Sequence, residues 1–171
     1  MKITIIGKGT GWELAPLSGE TLGITQLILR RLVARVIDMN DYSLWGEAEL
    51  AEAIKARKVA NDLSIPYIDR ENYPLQKIIK KFGTDYFSST ADYAIALCID
   101  EGYTEIDLYG VNMSDSGEYA YQKPGVDFWC GMAMGRGIKV NVFGRESRIM
   151  KTRDNKLYGY GIPQGGLCER R

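Results

Sequence analysis

The residues best suited to chemistry fall into three groups, and the first follows an apolar run. Gly7, Lys8, Gly9, Thr10 and Gly11 come directly after Ile3-Thr-Ile-Ile6. Glycine admits positive φ and lets a ligand come close to main-chain N–H groups, so such a turn at a strand end suits an anion such as phosphate. The spacing is Gly-x-Gly-x-Gly; it is neither the dinucleotide fingerprint Gly-x-Gly-x-x-Gly nor a Walker loop with its Lys-Ser/Thr ending. A tight turn without a ligand is the alternative reading.

The second group is the segment Asn112-Met-Ser-Asp-Ser-Gly-Glu-Tyr-Ala-Tyr-Gln-Lys123. Tyr119 and Tyr121 offer ring faces on which a base can stack, Asn112 and Gln122 offer amides for its edge, and Ser114 adds a hydroxyl. Lys123 carries a charge for phosphate. Asp115, Glu118 and Asp127 are the carboxylates available as a general base, with Lys123 to stabilise developing phosphate charge. A solvated surface loop is the competing reading of the same residues. The third group is Asp38 with Asn40. Asp38 follows Val36-Ile37, the place where a carboxylate meets ribose hydroxyls in dinucleotide folds; a simple turn cap is the alternative. Arg136, Lys151 and Arg153 are further basic groups that a phosphate could use.

Composition narrows the chemistry. The 171 residues are 45% apolar and 26% charged, enough for one substantial core and too few for two ordinary domains. Lys+Arg and Asp+Glu both number 22, so no field of one sign exists to hold polymeric nucleic acid or an anionic membrane. No apolar run approaches the roughly 20 residues of a membrane span, and the first residues lack the pattern of a secretory signal. The sequence therefore reads as cytosolic. There is no histidine, and Cys98, Cys130 and Cys168 are widely spaced, so neither structural zinc, a disulfide framework nor Ser/His or Cys/His catalysis is supported. No metal is assigned; a carboxylate-only magnesium site stays open should the protein be an enzyme.

The elements that must hold these groups alternate between strand and helix. After the first strand, segments 20–24, 33–39, 65–69, 105–111 and 139–143 read as strands. Segment 46–62 reads as a helix with Leu50 and Ile54 on its apolar stripe, followed by helices over 74–81 and 89–102 and one starting near Pro124. Ser88, Ser89 and Thr90 read as a helix cap, Trp129, Cys130 and Met132 as core, and Gly131 and Gly135 as points of close packing. This order predicts a single Rossmann-like α/β domain over 1–160, with a mostly parallel sheet and helices on both faces. Asp154-Asn155 predicts a C-terminal β-hairpin, and 161–171 a mobile tail. In such a sheet, ligands collect beyond the carboxyl ends of the strands, where Gly7–Trp12, Asp38–Tyr42, Asp69–Tyr73 and Asn112–Lys123 all fall.

With those ends assembled, the chain resembles phage-encoded Rossmann-like proteins related to the archaeal 6-hydroxymethyl-dihydropterin pyrophosphokinase-like (MptE-like) family, whose fold also resembles a group of bacterial sialyltransferases. The residues that carry the resemblance are Ile5-Ile-Gly-Lys-Gly9, Glu20-Thr-Leu-Gly-Ile24, Tyr109-Gly-Val-Asn-Met113, Glu118-Tyr-Ala-Tyr-Gln-Lys-Pro124 and Trp129-Cys-Gly-Met-Ala-Met-Gly-Arg-Gly-Ile-Lys-Val140. The resemblance implies a nucleotide or nucleotide-like ligand held between the first glycine loop and the loop after Tyr109-Gly-Val. The chain departs from that family where Gly-x-Gly-Pro-Ser is replaced by Gly7-Lys-Gly-Thr-Gly11, and where the aspartate after Gly-Val is replaced by Asn112. Losing that carboxylate counts against metal-assisted pyrophosphoryl transfer. The expectation is a binder of a phosphate-bearing, nucleotide-derived small molecule that sequesters it as a phage anti-defence sponge in the host cytosol, where a homo-oligomer with facing pockets would assist. The alternative is a small transferase or hydrolase acting on a nucleotide or nucleotide sugar.

Overall fold

The structure, a computed structural model, describes residues 1–44 and 46–164. The elements run β1 (Lys2–Ile6), β2 (Thr21–Ile24), β3 (Arg35–Asp38), α1 (Glu47–Asp62), β4 (Tyr67–Asp69), α2 (Leu75–Phe82), α3 (Thr90–Asp100), β5 (Glu105–Tyr109), α4 (Glu118–Gly135) and β6 (Lys139–Val142), with short 3-10 helices at Trp12–Leu14, Thr25–Leu29 and Tyr42–Leu44. The six strands form one sheet in the order β4-β3-β2-β1-β5-β6. Every pairing is parallel. The chain therefore builds outward from β1 in one direction to β4, then returns to the other side of β1 for β5 and β6. That reversal point lies between β1 and β5, and all six carboxyl ends share one edge of the sheet.

Alternation along the strands explains the two cores. Ile3, Ile5, Leu22, Ile37, Ile106 and Leu108 point to one face and pack with α2, α3 and α4 around Trp129 and Cys130. Ile6 and Val36 point to the other face, under α1 and the turn at Thr25–Leu29. Helices thus lie on both faces of the sheet. Ser89 caps α3 in a capping box with Asp92, as its sequence predicts. Asp92 is fully buried and accepts from the N–H and hydroxyl groups of both Ser88 and Ser89 at 2.6–3.0 Å. Burial pushes its carboxyl above the usual range, and these hydrogen bonds oppose the shift.

Four expectations are corrected. α4 begins at Glu118 rather than near Pro124, so Pro124 lies inside the helix. Gly117, at φ +61, ends the loop, and the pairs Glu118/Gln122 and Lys123/Asp127 at helical spacing support the extra turns. α1 does not bury Leu50 and Ile54; it lies on the sheet through Ala53, Ala56 and Ala60, whose small side chains let the helix approach. Gly131 and Gly135 border open space, whereas a Cβ on Gly125 would lie 2.2 Å from the Ser88 hydroxyl and 2.5 Å from the Asp92 carboxylate. Gly125 is the position where α4 needs glycine against α3.

The fourth correction concerns the C-terminal segment. Residues 148–153 follow turns rather than a hairpin strand, and the antiparallel pairing lies further along, as a single bridge between Lys156 and Pro163. The physical cause is Arg148, whose guanidinium draws the carbonyls of Thr152 and Arg153 and the Asn155 side chain around itself. Of the tail expected over 161–171, residues 165–171 lie outside the described residues, as does Cys168.

Candidate functional site

Parallel strands bring the ends of β1, β2 and β3 side by side, and a chain of side-chain hydrogen bonds links them. Lys8, after β1, donates from Nζ to Gln26 Oε1 at 2.6 Å; Gln26, after β2, donates from Nε2 to the Tyr42 hydroxyl at 2.6 Å. Tyr42 donates to Asp38 Oδ2 at 2.8 Å, and Tyr67 of β4 donates to the same oxygen at 2.8 Å. Asn40 Nδ2 completes the group by donating to Asp38 Oδ1 at 2.9 Å. Asp38 closes β3 and is only 3% exposed, and these donors satisfy its buried oxygens. The two phenols are held protonated: burial is the largest cause raising both pKa values, and the Asp38 carboxylate adds to it.

The Asp38 end of this chain opens into a cavity of about 520 Å³, lined by Asp38, Asn40, Tyr42, Arg57, Asp69 and Arg70 among others. Its walls carry two paired charges, Arg57 to Asp69 Oδ2 and Arg70 to Asp41 Oδ2, both at 2.6 Å. Hydrogen bonding from Ser43 and from Arg70 holds the partly exposed Asp41 carboxyl below its usual value. The pocket therefore offers both acceptors for hydroxyl groups and guanidinium groups for an anion. Among the described residues, no group of three or more His, Cys, Asp or Glu is arranged to hold a metal. The donors already crowding Asp38 do not fit a magnesium site there.

Tyr67, which reaches Asp38 from β4, and Gln26 are the members that sequence reasoning missed. Gln26 occupies a strand end, as Lys8 and Asp38 do, and the polar pair Thr25-Gln26 after Leu22-Gly-Ile24 is the signal that would have found it. Thr25 has φ +54, a left-handed conformation that is a true outlier for a β-branched residue. Its hydroxyl is buried with no partner among the described residues. This strained residue turns the chain at the end of β2 and sends the next side chain, Gln26, across to Lys8 and Tyr42, a use of strain typical of functional sites.

The glycine loop itself is built for contact between two loops. Gly7 N–H donates to the Tyr109 carbonyl and Gly9 N–H to the Gly110 carbonyl, each at 2.8 Å. A Cβ on Gly7 would lie 2.4 Å from the Gly110 oxygen, and one on Gly9 2.7 Å from it. These two glycines let the ends of β1 and β5 close against each other. Asn112 Nδ2 donates to the Thr10 carbonyl at 3.2 Å, while its Oδ1 is buried with no partner among the described residues. Gly11, at φ +92, precedes the turn at Trp12.

The remaining predicted residues point elsewhere. Asp115 pairs with Arg148 at 2.7 Å, Glu118 accepts from Gln122 one turn on, and Asp127 takes Lys123 at 2.5 Å and the Met150 N–H at 2.6 Å. Ser114 donates to the Ser116 carbonyl at 3.2 Å. Tyr119 and Tyr121 are exposed on the first turns of α4. Lys151 donates to the Arg145 carbonyl, and Arg136 lies over the Phe82 ring. The structure thus joins Lys8, Asp38 and Asn40 in one network, and ties the 112–127 carboxylates to the C-terminal segment or to their own helix.

This arrangement, a parallel α/β sheet with a polar carboxyl edge, has likenesses among solved structures. The sialyltransferase CstII from Campylobacter jejuni in complex with the substrate analogue CMP-3FNeuAc aligns over 87% of this chain and 82% of its own, at 13% identity and TM-score 0.45. The sialyltransferase CST-II in complex with a trisaccharide acceptor and CMP aligns over 95% of this chain and 85% of its own, at 14% identity and TM-score 0.45. The C. jejuni enzyme with cytidine-5'-monophosphate gives 13% identity, 85% and 80% coverage, and TM-score 0.41. No protein-family model matches the chain, and comparison with curated proteins yields no match. No helix among the described residues is long and apolar enough to cross a membrane.

Proposed function

We propose that this protein binds a phosphate-bearing, nucleotide-derived small molecule along the carboxyl edge of β1–β4. The observation that carries this reading is the buried Asp38 carboxylate, joined through Tyr42 and Gln26 to the Lys8 ammonium and open to a cavity of about 520 Å³. A carboxylate at the end of a parallel strand accepts from ribose hydroxyls, and an ammonium three hydrogen bonds away meets phosphate. Arg57 and Arg70 add guanidinium groups for a second phosphate or a sugar acid. The cavity volume falls within the usual range for small-molecule sites, about 300–1,000 Å³.

Holding the ligand without turnover is the version we favour, as a sponge of the phage type would. In its support, Asp115 and Asp127 are each paired with a cation and Glu118 is occupied by its own helix, so none of the three stands ready as a base at Asp38. The test is a thermal-shift and calorimetric panel of nucleoside mono- and diphosphates, nucleotide sugars and cyclic dinucleotides, with chromatography of the recovered ligand. A ligand at about 100 times its Kd stabilises by about 2.7 kcal/mol. Unchanged recovered ligand is expected; a converted product would replace sequestration by transfer or hydrolysis, and no stabilisation by any member would overturn the binding reading.

A further inference from the structure

We propose that α1 is a self-association face, on which a second copy of this chain docks its own α1 in antiparallel orientation about a two-fold axis. The helix spends its alanines on the sheet: Ala53, Ala56 and Ala60 are 7%, 0% and 0% exposed. Its large aliphatic side chains face outward, with Leu50 at 42% and Ile54 at 62%, and Leu44 just before the helix at 82%. Leaving two branched aliphatics out of the core while burying alanine reverses the usual order for an amphipathic helix. Such an exposed apolar stripe marks a contact surface.

The charges along α1 select a copy of itself as the occupant. Glu47, Glu49 and Glu52 lie in its first half, and Lys55, Arg57 and Lys58 in its second. Helical spacing sets Glu47, Leu50, Ile54 and Lys58 along one stripe. A two-fold axis passing between Leu50 and Ile54 places Leu50 of one copy against Ile54 of the other, and at the same time sets each Glu47 opposite the Arg57–Lys58 end. That is the self-complementarity an isologous interface requires. In the single chain, Lys58 is engaged by Asp62 of its own helix at 2.6 Å, with both side chains more than half exposed, a contact weak enough to be exchanged.

A groove of about 440 Å³ runs beside this stripe, between α1 and the edge strand β4, with Leu50, Ile54, Tyr42 and Tyr67 in its walls. It gives the partner's aliphatic side chains room. The helix is 16 residues long, about 24 Å, so the contact belongs to the small, transient class of interfaces. Tyr42, Tyr67 and Arg57 border this groove and also belong to the Asp38 network or its cavity, whereas Leu50, Ile54, Glu47 and Lys58 are not members of that network, so variants at these four positions separate association from ligand binding.

Sedimentation velocity of the full chain from about 1 µM to about 1 mM tests the proposal, that range covering weak interfaces. The expected result is a monomer–dimer equilibrium that Ile54→Glu weakens on the order of ten-fold or more. Glu47→Lys and Lys58→Glu each associate less than the parent chain, and mixing the two variants restores association. Circular dichroism confirms that these surface variants are folded. A parent chain that stays monomeric throughout, a dimer indifferent to Ile54→Glu, or charge variants that fail to recover on mixing would overturn it.

Discussion

Two polar regions of this chain have similar residue types and opposite architecture. Along the ends of β1, β2 and β3, the side chains of Lys8, Gln26, Tyr42 and Asn40 form a network that ends on one buried carboxylate beside a cavity. In the segment 112–127 the polar side chains do not converge: Asp115 goes to Arg148, Asp127 to Met150 and Lys123, and Asn112 to Thr10. The first region concentrates donors where a ligand can exchange with them. The second uses its polarity to fasten the C-terminal segment and the start of α4. Density of polar residues is therefore not convergence: only the first region brings its groups onto one buried carboxylate.

The largest effect that would break this contrast comes from the glycines beneath it. A Cβ on Gly110, whose φ is +62, would lie 2.8 Å from Gly7 O, Gly9 O and the Trp12 Cβ. Gly110→Ala is expected to cost about 4 kcal/mol or more, while Gly131→Ala, in open space on α4, is expected to stabilise by about 0.5–1 kcal/mol. Urea denaturation of the two variants measures both. Next comes Asp38→Ala, which removes the buried carboxylate that accepts from Tyr42, Tyr67 and Asn40. A loss of about 2–3 kcal/mol in the same assay is expected.

Arg148→Ala sharpens the contrast from the other side. It removes the contacts to Asp115, Thr152, Arg153 and Asn155, so amide exchange over 148–156 should rise, while the melting of the sheet shifts by only a few degrees.

The smallest effect is a pH slope. Because burial raises the folded-state pKa of Asp92 above the usual 3.8, the native state binds more protons than the unfolded state between those two values. Its contribution to stability is full below 3.8 and falls as pH rises through the folded value. Asp92→Asn should remove that slope from a plot of urea midpoint against pH.

Much of the fold was legible because strand and helix periods differ: the apolar strands, the α3 cap at Ser89 and the buried Trp129 follow from sequence pattern alone. Asp38 was legible for the same reason, as a carboxylate at the end of an apolar run. Gln26 was legible only as a polar residue at a strand end, because the left-handed turn at Thr25, which no pattern of types announces, is what directs it to Lys8 and Tyr42. The true start of α4 was hidden by Pro124, which reads as a first-turn residue yet sits within the helix. The exposure of Leu50 and Ile54 was equally hidden, since a helical stripe shows which residues share a face but not which face meets the sheet.

The proposed function requires that ligand binding depend on Asp38 and not on the 112–127 segment. It is tested most directly by calorimetric titration of nucleoside mono- and diphosphates and nucleotide sugars into the parent chain, Asp38→Asn and Glu118→Ala. The expected result is a ligand that binds the parent and Glu118→Ala alike and Asp38→Asn on the order of a hundred-fold more weakly. Binding that survives in Asp38→Asn, or is lost in Glu118→Ala, would contradict it.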